Sequence, residues 1–456
     1  MKRLDADVCV VGAGFAGMSA AWRLREAGKE VVVLEARDRV GGRTWTVYLD
    51  DGTHIDRGGA WFGPGQDRAY ALAAEMGRAT YAQYVAGDNV FVEKGKRRRY
   101  AGSTPLRVNP LQLASVGIAM SRLDRMAKQV PLERPWEAKK ARVWDSQTAG
   151  RWITSNVQGS TARAMVTDIL TELSTCSLSE VSLLGALVMV HANNGIQDLI
   201  SAEGGHQQDR VHGGSTSILY EMQERLGEAV RLSSPVRDIA WAQDRVTVSS
   251  HDVSVSARRA IVAIPPWLSE RIWWDPPLPR DRAQLIQRVP SGQIFKIHVV
   301  YDTPFWREEG LSGQTLDPDS IVPATIDACG PEPPPGILCV LALGPSAYEL
   351  GRMSADTRRK TVIQELVKRF GSPASTVNDY IEQDWTAENW TRGGMVTHYP
   401  PGVLTSFGHA LREPVGRLHW ASTELATVMT GCIDGAIRAG ERAADDVLAA
   451  ERGTTT

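Results

Sequence analysis

A two-domain α/β fold is what the sequence predicts, and three observations predict it. The chain has 456 residues, more than a single hydrophobic core ordinarily serves. Its first 35 residues run through an apolar stretch, a glycine turn, a helical pattern and a second apolar stretch ending in an acid. Later short apolar runs, bounded by turn signals, supply further candidates for the same buried parallel sheet.

The opening strand is expected over residues 7–11 and passes into Gly12-x-Gly14-x-x-Gly17. Gly12 permits the tight turn, Gly14 lets backbone approach a pyrophosphate, and Gly17 lets the next helix pack on the sheet. That helix, expected over 14–27 with Phe15 and Ala16 in its first turn, aims free N–H groups and its positive dipole end at the turn. A second strand over 31–34 ends in Glu35, about 20 residues on, where a carboxylate can accept from ribose hydroxyls and would repel a 2′-phosphate. Strands, turn and acid in register point to a bound dinucleotide. A nicotinamide domain would continue into a third βα unit. Here the chain instead carries Ala36, Arg37 and Gly41-Gly42-Arg43, then Gly58-Gly59-Ala60-Trp61. Paired glycines let amides approach an extended ligand, and Arg43 can reach a phosphate.

Two later runs suit the same sheet. One covers 258–264 and stops at Pro265 and Pro266, which cannot continue a central ladder; the other covers 415–420. A helix is expected over 111–130 and another apolar strand over 295–301. The basic cluster Lys94, Lys96, Arg97, Arg98 and Arg99 reads as a solvated hairpin tip, and the proline-rich stretch 331–336 as a surface loop. A terminal helix to about residue 450 carries Ile433, Ile437, Gly440, Ala443 and Val447 on one apolar stripe.

Composition excludes several functions. A formal net charge of −2 offers no general attraction to nucleic acid or anionic membrane. The five cysteines are scattered without a CxxC pair, so neither a disulfide framework nor a zinc site is expected, and the nine histidines show no metal-ligand spacing. The opening strand begins close to Met1, which leaves no room for a signal peptide. No apolar run approaches the ~20 residues that span a bilayer. A cytoplasmic protein with no nucleic-acid or membrane partner is expected. No Ser-His-Asp, Cys-His or paired-carboxylate pattern is present, so the chemistry is expected from a cofactor.

Over nearly its whole length the chain resembles the flavin-containing amine oxidases, and among them the soluble bacterial members of the monoamine oxidase family. The resemblance rests on the GxGxxG turn, the acid followed by Gly41-Gly42-Arg43, the Gly58-Gly59 pair, the segment 288–296 ending in Lys296, and the closing stretches 419–424 and 429–436. It implies FAD in a Rossmann-type, glutathione-reductase-like domain assembled from residues 1–80, 209–290 and 391–456. A substrate domain, from 81–208 and 291–390, would carry a mixed, mainly antiparallel sheet with helices. The implied reaction moves a hydride from the amine α-carbon to flavin N5. It gives an imine that water hydrolyses to an aldehyde or ketone, while dioxygen becomes hydrogen peroxide. The implied partners are an amine and dioxygen, and a homodimer is left open.

Residue by residue, the resemblance places the cofactor against Gly12, Gly14, Phe15, Ala16, Gly17, Glu35, Ala36, Arg37, Gly42, Arg43, Gly59, Ala60 and Trp61. It adds Val236, Trp385, Ser422, Thr423, Glu424, Gly431, Cys432 and Ile433. Glu424 would sit near the ribityl and phosphate region. The amides at 431–433 would face the flavin N1 and C2 carbonyl, where reduction accumulates charge. Lys296 would hold a water near N5 and assist reoxidation by dioxygen, although pattern alone puts it on a solvated strand face.

The substrate cavity would be lined by Glu172, Ile200, Gln207, Met395, Val396 and Cys432. Met395 stands where mitochondrial members link a cysteine to the flavin, so FAD is expected to be non-covalent. Val396 and Cys432 stand where those members raise two tyrosines, which removes a π-lined passage and points to a bulkier or non-arylalkyl substrate. Glu172 reads either as a solvated helix residue or as the partner of a diamine's distal ammonium. Trp61 and Trp390 read as core packing rather than as aromatic walls. The alternatives are oxidation or desaturation of a specialised biosynthetic substrate, such as an N-acylated amine, and a flavin-binding scaffold.

Overall fold

In the computed structural model, which describes residues 1–93, 95–102 and 110–452 without the side chains of Glu93 and Ile200, the opening strand Lys2–Val11 lies inside an eight-stranded sheet. It pairs in parallel with Val31–Leu34 on one side and Val253–Val262 on the other. Val230–Arg231 extends the first flank, and Leu418–Trp420 pairs in parallel with the far half of Val253–Val262. Successive side chains of these strands enter two separate cores, as the two-residue period of a strand requires. Val8, Val10, Val33 and Ile261 pack under the helices Phe15–Glu26 and Ile433–Arg452. Cys9, Val11, Leu34 and Val262 join the core on the opposite face. Burial on both faces is why these strands read as continuous apolar runs.

Three strands differ in extent from the sequence expectation. The opening one begins at Lys2, ahead of 7, because its polar first half pairs with the first half of Val253–Val262. The third strand begins at Val253, ahead of 258, because its first half alternates Val and Ser and pairs antiparallel with Val246–Ser249. An apolar-run criterion sees only the second half, which enters the parallel core. The fourth is shortened to Leu418–Trp420 because Val415 folds back to pair with Leu418 in an isolated bridge. The helix expected over 111–130 forms over Pro110–Ala127.

A second, seven-stranded sheet contains the other apolar strand, Ile294–Tyr301, flanked antiparallel by Gly336–Leu343 and Asp379–Asp384. It is mainly antiparallel; Leu311–Leu316 meets Asp88–Glu93 in parallel. Asp88–Glu93 and Lys96–Tyr100 form the expected hairpin, with Gly95 at φ +73 in its turn. Lys94 of that tip lies outside the described residues. Helices Ser160–Ser174 and Leu183–Ala192 pack with Pro110–Ala127 and with each other, and Leu183–Ala192 is buried along nearly its whole length. Among the described residues no helix is long and apolar enough to cross a membrane, and no cluster of His, Cys, Asp and Glu is placed to hold a metal. All five cysteines are free.

A candidate cofactor and substrate cavity

The parallel strands end on the same side, and their C-terminal ends open onto one cavity of about 330 Å³. Ligands of open parallel sheets bind beyond those ends. Val11, Leu34, Ala263 and Ser422 mark the four strand ends on its wall. Ile294, Lys296, Leu341, Leu343 and Trp385 close it from the second sheet, and Glu172, Leu173, Met189 and Leu199 from the helices.

At the strand ends the chain is shaped for close approach. Gly12 sits at φ +100, and a Cβ there would lie 3.0 Å from the Ala263 carbonyl oxygen. Gly17 is pressed against the turn, where a Cβ would fall 1.9 Å from the Gly12 oxygen; it packs the helix and does not face the cavity. Gly42, at φ +58, brings backbone so near Gly14 that a Cβ would stand 3.3 Å from the Gly14 Cα. The Phe15–Glu26 helix has no side-chain cap and no acid in its first turn, which leaves its N–H end suited to an anion. Phe15, Ala16, Ala36, Gly59, Ala60, Val236, Thr423, Gly431 and Ile433 also line the cavity.

The charged groups here pair with one another. Glu35 accepts the Ala13 N–H at 2.7 Å and the Arg37 N–H at 2.9 Å, which fixes its carboxylate at the cavity rim. Arg37 in turn pairs with Glu388 and donates to Thr391. Arg43 binds Glu424 through two hydrogen bonds, of 2.6 and 3.1 Å, and donates to the Met395 carbonyl at 2.6 Å. Glu424 is therefore buried beneath Arg43 and is not on the wall. A buried carboxylate needs such a partner.

Lys296 is buried, not solvated. Its Nζ donates to the Asp56 and Gly58 carbonyls, each at 2.8 Å, and lies 4.6 Å from the centre of the Trp61 ring. Burial lowers its pKa. A protonated Nζ has three donors, so one remains after both carbonyls are satisfied. Trp61 and Trp390 are not core residues. Trp61 is half-buried in the wall with Nε1 on Gln83, while Trp390 is 37% exposed at the rim. Trp385, buried, donates Nε1 to the Arg57 carbonyl.

Glu172, Gln207, Met395 and Cys432 all line the cavity. Val396 does not: it is buried behind Gly431, whose Cβ position lies 3.6 Å from the Val396 Cβ. The side chain of Ile200 lies outside the described residues. Sequence reading missed His206, Asn193 and Asp168. Cys432 Sγ stands 3.6 Å from Asn193 Oδ1 and 3.7 Å from His206 Nδ1, and Asp168 lies one turn before Glu172 on the same helix. Of these, only His206 carried a usable signal, since it directly precedes Gln207.

The residues present fit the FAD that the sequence implies. The glycine cradle has space that a Cβ would fill, and the uncapped helix end opens on it. The Ser422 hydroxyl is buried on the wall without a partner among the described residues, as expected of a group that meets a ligand.

Comparison with known proteins agrees with this geometry. The model of the family described as flavin containing amine oxidoreductase matches residues 15–448. The putative flavin-containing monoamine oxidase AofH of Mycobacterium tuberculosis is 39% identical over 443 residues, covering 97% of this chain and 96% of that protein. A wild-type putrescine oxidase solved with putrescine bound is similar at 34% identity, with a TM-score of 0.94 over 98% of this chain and 100% of its own. Cyclohexylamine oxidase from Brevibacterium oxydans IH-35A follows at 32% identity and a TM-score of 0.93, covering 98% and 100%.

Proposed function

The chain belongs to the flavin-containing amine oxidase family and oxidises an amine with FAD and dioxygen; from that premise we propose that its substrate carries a second cationic nitrogen, held by Glu172. The observation that carries the proposal is the state of this carboxyl. It lies on the cavity wall and has no ion-pair partner among the described residues, only Gln207 Nε2 at 3.5 Å. Burial pushes its pKa up to about 7. Asp168, one turn earlier, is also pushed up to about 7, by burial first and then by Asp319 and Glu172. Two acids without a basic neighbour are costly to ionise, and an entering ammonium ion supplies the missing charge. A similar structure that holds a diamine supports the reading.

The proposal extends to the residues that hold FAD. Gly14, Phe15 and Ala16 offer amides to the pyrophosphate, the Gly12 N–H being taken by the Leu34 carbonyl at 2.8 Å, and Glu35 has lone pairs left for ribose hydroxyls. The helix starting at Ile433, with Gly431 and Cys432 before it, has its positive end at the cavity, where it would stabilise negative charge on a reduced flavin. Met395 offers no thiol where a covalent link would form, so the cofactor is bound non-covalently. FAD held here supplies the electron-pair acceptor for the C–N bond and returns the electrons to dioxygen. Lys296 keeps its third donor for a water at the cavity, and the Arg43–Glu424 pair fixes the Met395 carbonyl. We assign residues 1–80, 209–290 and 391–456 to a Rossmann-type FAD domain and 81–208 and 291–390 to the substrate domain, supported by the two sheets. A reducing cytoplasm suits the five free cysteines.

Steady-state oxidation of 1,4-diaminobutane and n-butylamine, followed by peroxide release, tests the substrate class. Charge-assisted hydrogen bonds of about 1.5–3 kcal/mol correspond to roughly 10- to 100-fold in KM. Glu172→Gln is expected to raise KM for the diamine by that factor and to leave n-butylamine unchanged. Equal effects on both amines would reject a distal cation.

A further inference from the structure

We propose that His206 takes the proton from the substrate's ammonium group through Nε2, in a ring tautomer set by Asn193 and Cys432. Asn193 has a fixed amide orientation. Its Nδ2 donates to the Met189 carbonyl at 2.9 Å and the Thr430 carbonyl at 3.0 Å. Both partners only accept, so the amide orientation is fixed and Oδ1 is the atom that faces Cys432 Sγ at 3.6 Å. An amide oxygen only accepts as well, so the thiol hydrogen points to Asn193. The sulfur then turns its lone pairs to His206 Nδ1, 3.7 Å away, and Nδ1 carries the ring hydrogen.

A neutral imidazole has one ring hydrogen, so Nε2 is left with its lone pair. That atom is buried and has no hydrogen-bond partner among the described residues, on a residue 6% exposed that lines the cavity. An unpaired buried acceptor calls for a donor from a ligand. Burial lowers the His206 pKa and pushes the Cys432 thiol up to about 12, so both groups are neutral in the resting cavity. Asp198 is the charged group that acts on His206, in the sense of raising its pKa. Asp434 adds to the upward shift at Cys432, and Glu172 is reached only through Gln207.

The backbone that carries the ring is held in place. The His206 N–H donates to the Asp198 carbonyl at 2.8 Å, and Gly63 packs so closely that a Cβ there would stand 2.8 Å from the His206 Cα. Lys296, another nitrogen base on the wall, gives two of its three donors to carbonyls.

The step balances without a further reactant. An N–H bond of the ammonium breaks, an Nε2–H bond forms, and the electron pair stays on the substrate nitrogen. The amine thereby gains the lone pair that it needs before its α-carbon can be oxidised. The imidazolium returns its proton to solvent when the product leaves. This role rests on amine oxidation alone and is independent of a second cationic nitrogen, so n-butylamine, with one nitrogen, is the probe.

Holoenzyme carrying His206→Ala or His206→Gln, checked for FAD by its visible spectrum, is compared with the parent protein. General-base assistance is worth about 10²-fold or more, so kcat/KM for n-butylamine is expected to fall by about that factor near pH 7. The deficit is expected to shrink toward about pH 10, where a primary amine approaches its own pKa and enters already neutral. A deficit of the same size at both pH values, as a structural role would give, overturns the proposal, and so does no deficit near pH 7. A second readout needs no turnover. Nitrogen-15 NMR of the imidazoles, with His206 assigned by its absence in His206→Gln, is expected to show a protonated Nδ1 and a bare Nε2. A protonated Nε2 in the parent protein overturns the tautomer and the proton acceptor with it.

Discussion

Lys296 shows how a charge is kept inside an apolar strand. Pattern alone puts it on a solvated face, since alternation along Ile294–Tyr301 says nothing about what covers the sheet. The backbone of the glycine segment covers it, with the Asp56 and Gly58 carbonyls on Nζ. Lys296→Met is expected to keep its FAD and to lower kcat/KM for dioxygen by about 10²-fold or more, the scale of losing one preorganised donor. Unchanged kinetics with varied dioxygen would remove Lys296 from the mechanism. Glu172 makes a prediction about pH. Its raised pKa of about 7 means that it is neutral at lower pH and gains its charge as pH rises. The ratio of kcat/KM for 1,4-diaminobutane to that for n-butylamine is therefore expected to fall as pH drops through about 7. Taking the ratio cancels titrations common to both substrates, His206 included. A flat ratio between pH 6 and pH 8 would show that the carboxyl does not meet the distal ammonium. Residues of this kind divide by how far their partners lie in sequence. Glu35 was legible because its site is built from one contiguous βαβ unit. The His206, Asn193 and Cys432 cluster was not, because it joins a loop, a helix end and the turn before the closing helix, and no local spacing records that.

Among the elements, two helices come into backbone contact where glycine removes a side chain. Gly440, on Ile433–Arg452, lies so near Phe15–Glu26 that a Cβ would fall 2.1 Å from the Ala16 carbonyl oxygen. Backbone cannot yield as a flexible side chain can. Gly440→Ala is expected to cost about 1–3 kcal/mol, the range for overpacking a filled contact. Gly117 is the control: it lies exposed on Pro110–Ala127 with nothing within 4 Å of its Cβ position. Gly117→Ala is expected to add about 0.5–1 kcal/mol, because alanine gives up less conformational freedom in a helix. Urea unfolding of both variants decides the matter, and equal midpoints would mean that the two helices are not in backbone contact. The same contrast explains what sequence reading achieved at this scale. The stripe Ile437, Gly440, Ala443 and Val447 was legible because a helix on a sheet repeats its buried face regularly. The start of Val253–Val262 was not, because its first half has one solvated face and lacks the uniform apolarity of a parallel core strand.

Across the whole molecule, the segment from Arg43 to Trp61 clamps the two sheets together. Arg43 reaches the Met395 carbonyl and Glu424, and Arg57 donates to the Glu382 carbonyl at 2.5 Å. Trp385 and Lys296 return hydrogen bonds to the Arg57, Asp56 and Gly58 carbonyls. This clamp forms one side of the cavity, whose other walls come from strand ends of the first sheet and from the helices. A ligand that fills the cavity therefore touches parts of the chain that no single element joins. Binding to the folded state alone stabilises by about 2.7 kcal/mol when free ligand stands at 100 times Kd. For a chain of this size that corresponds to a rise of a few degrees in Tm. Stripping FAD is expected to lower the main calorimetric transition by at least that amount, and returning FAD is expected to restore it. Hydrogen exchange gives the location: amides at 12–17, 41–61 and 422–433 are expected to lose protection together in the stripped protein. A Tm that is indifferent to FAD, or exchange that changes only in the first sheet, would show that the cofactor does not couple the two sheets through the clamp.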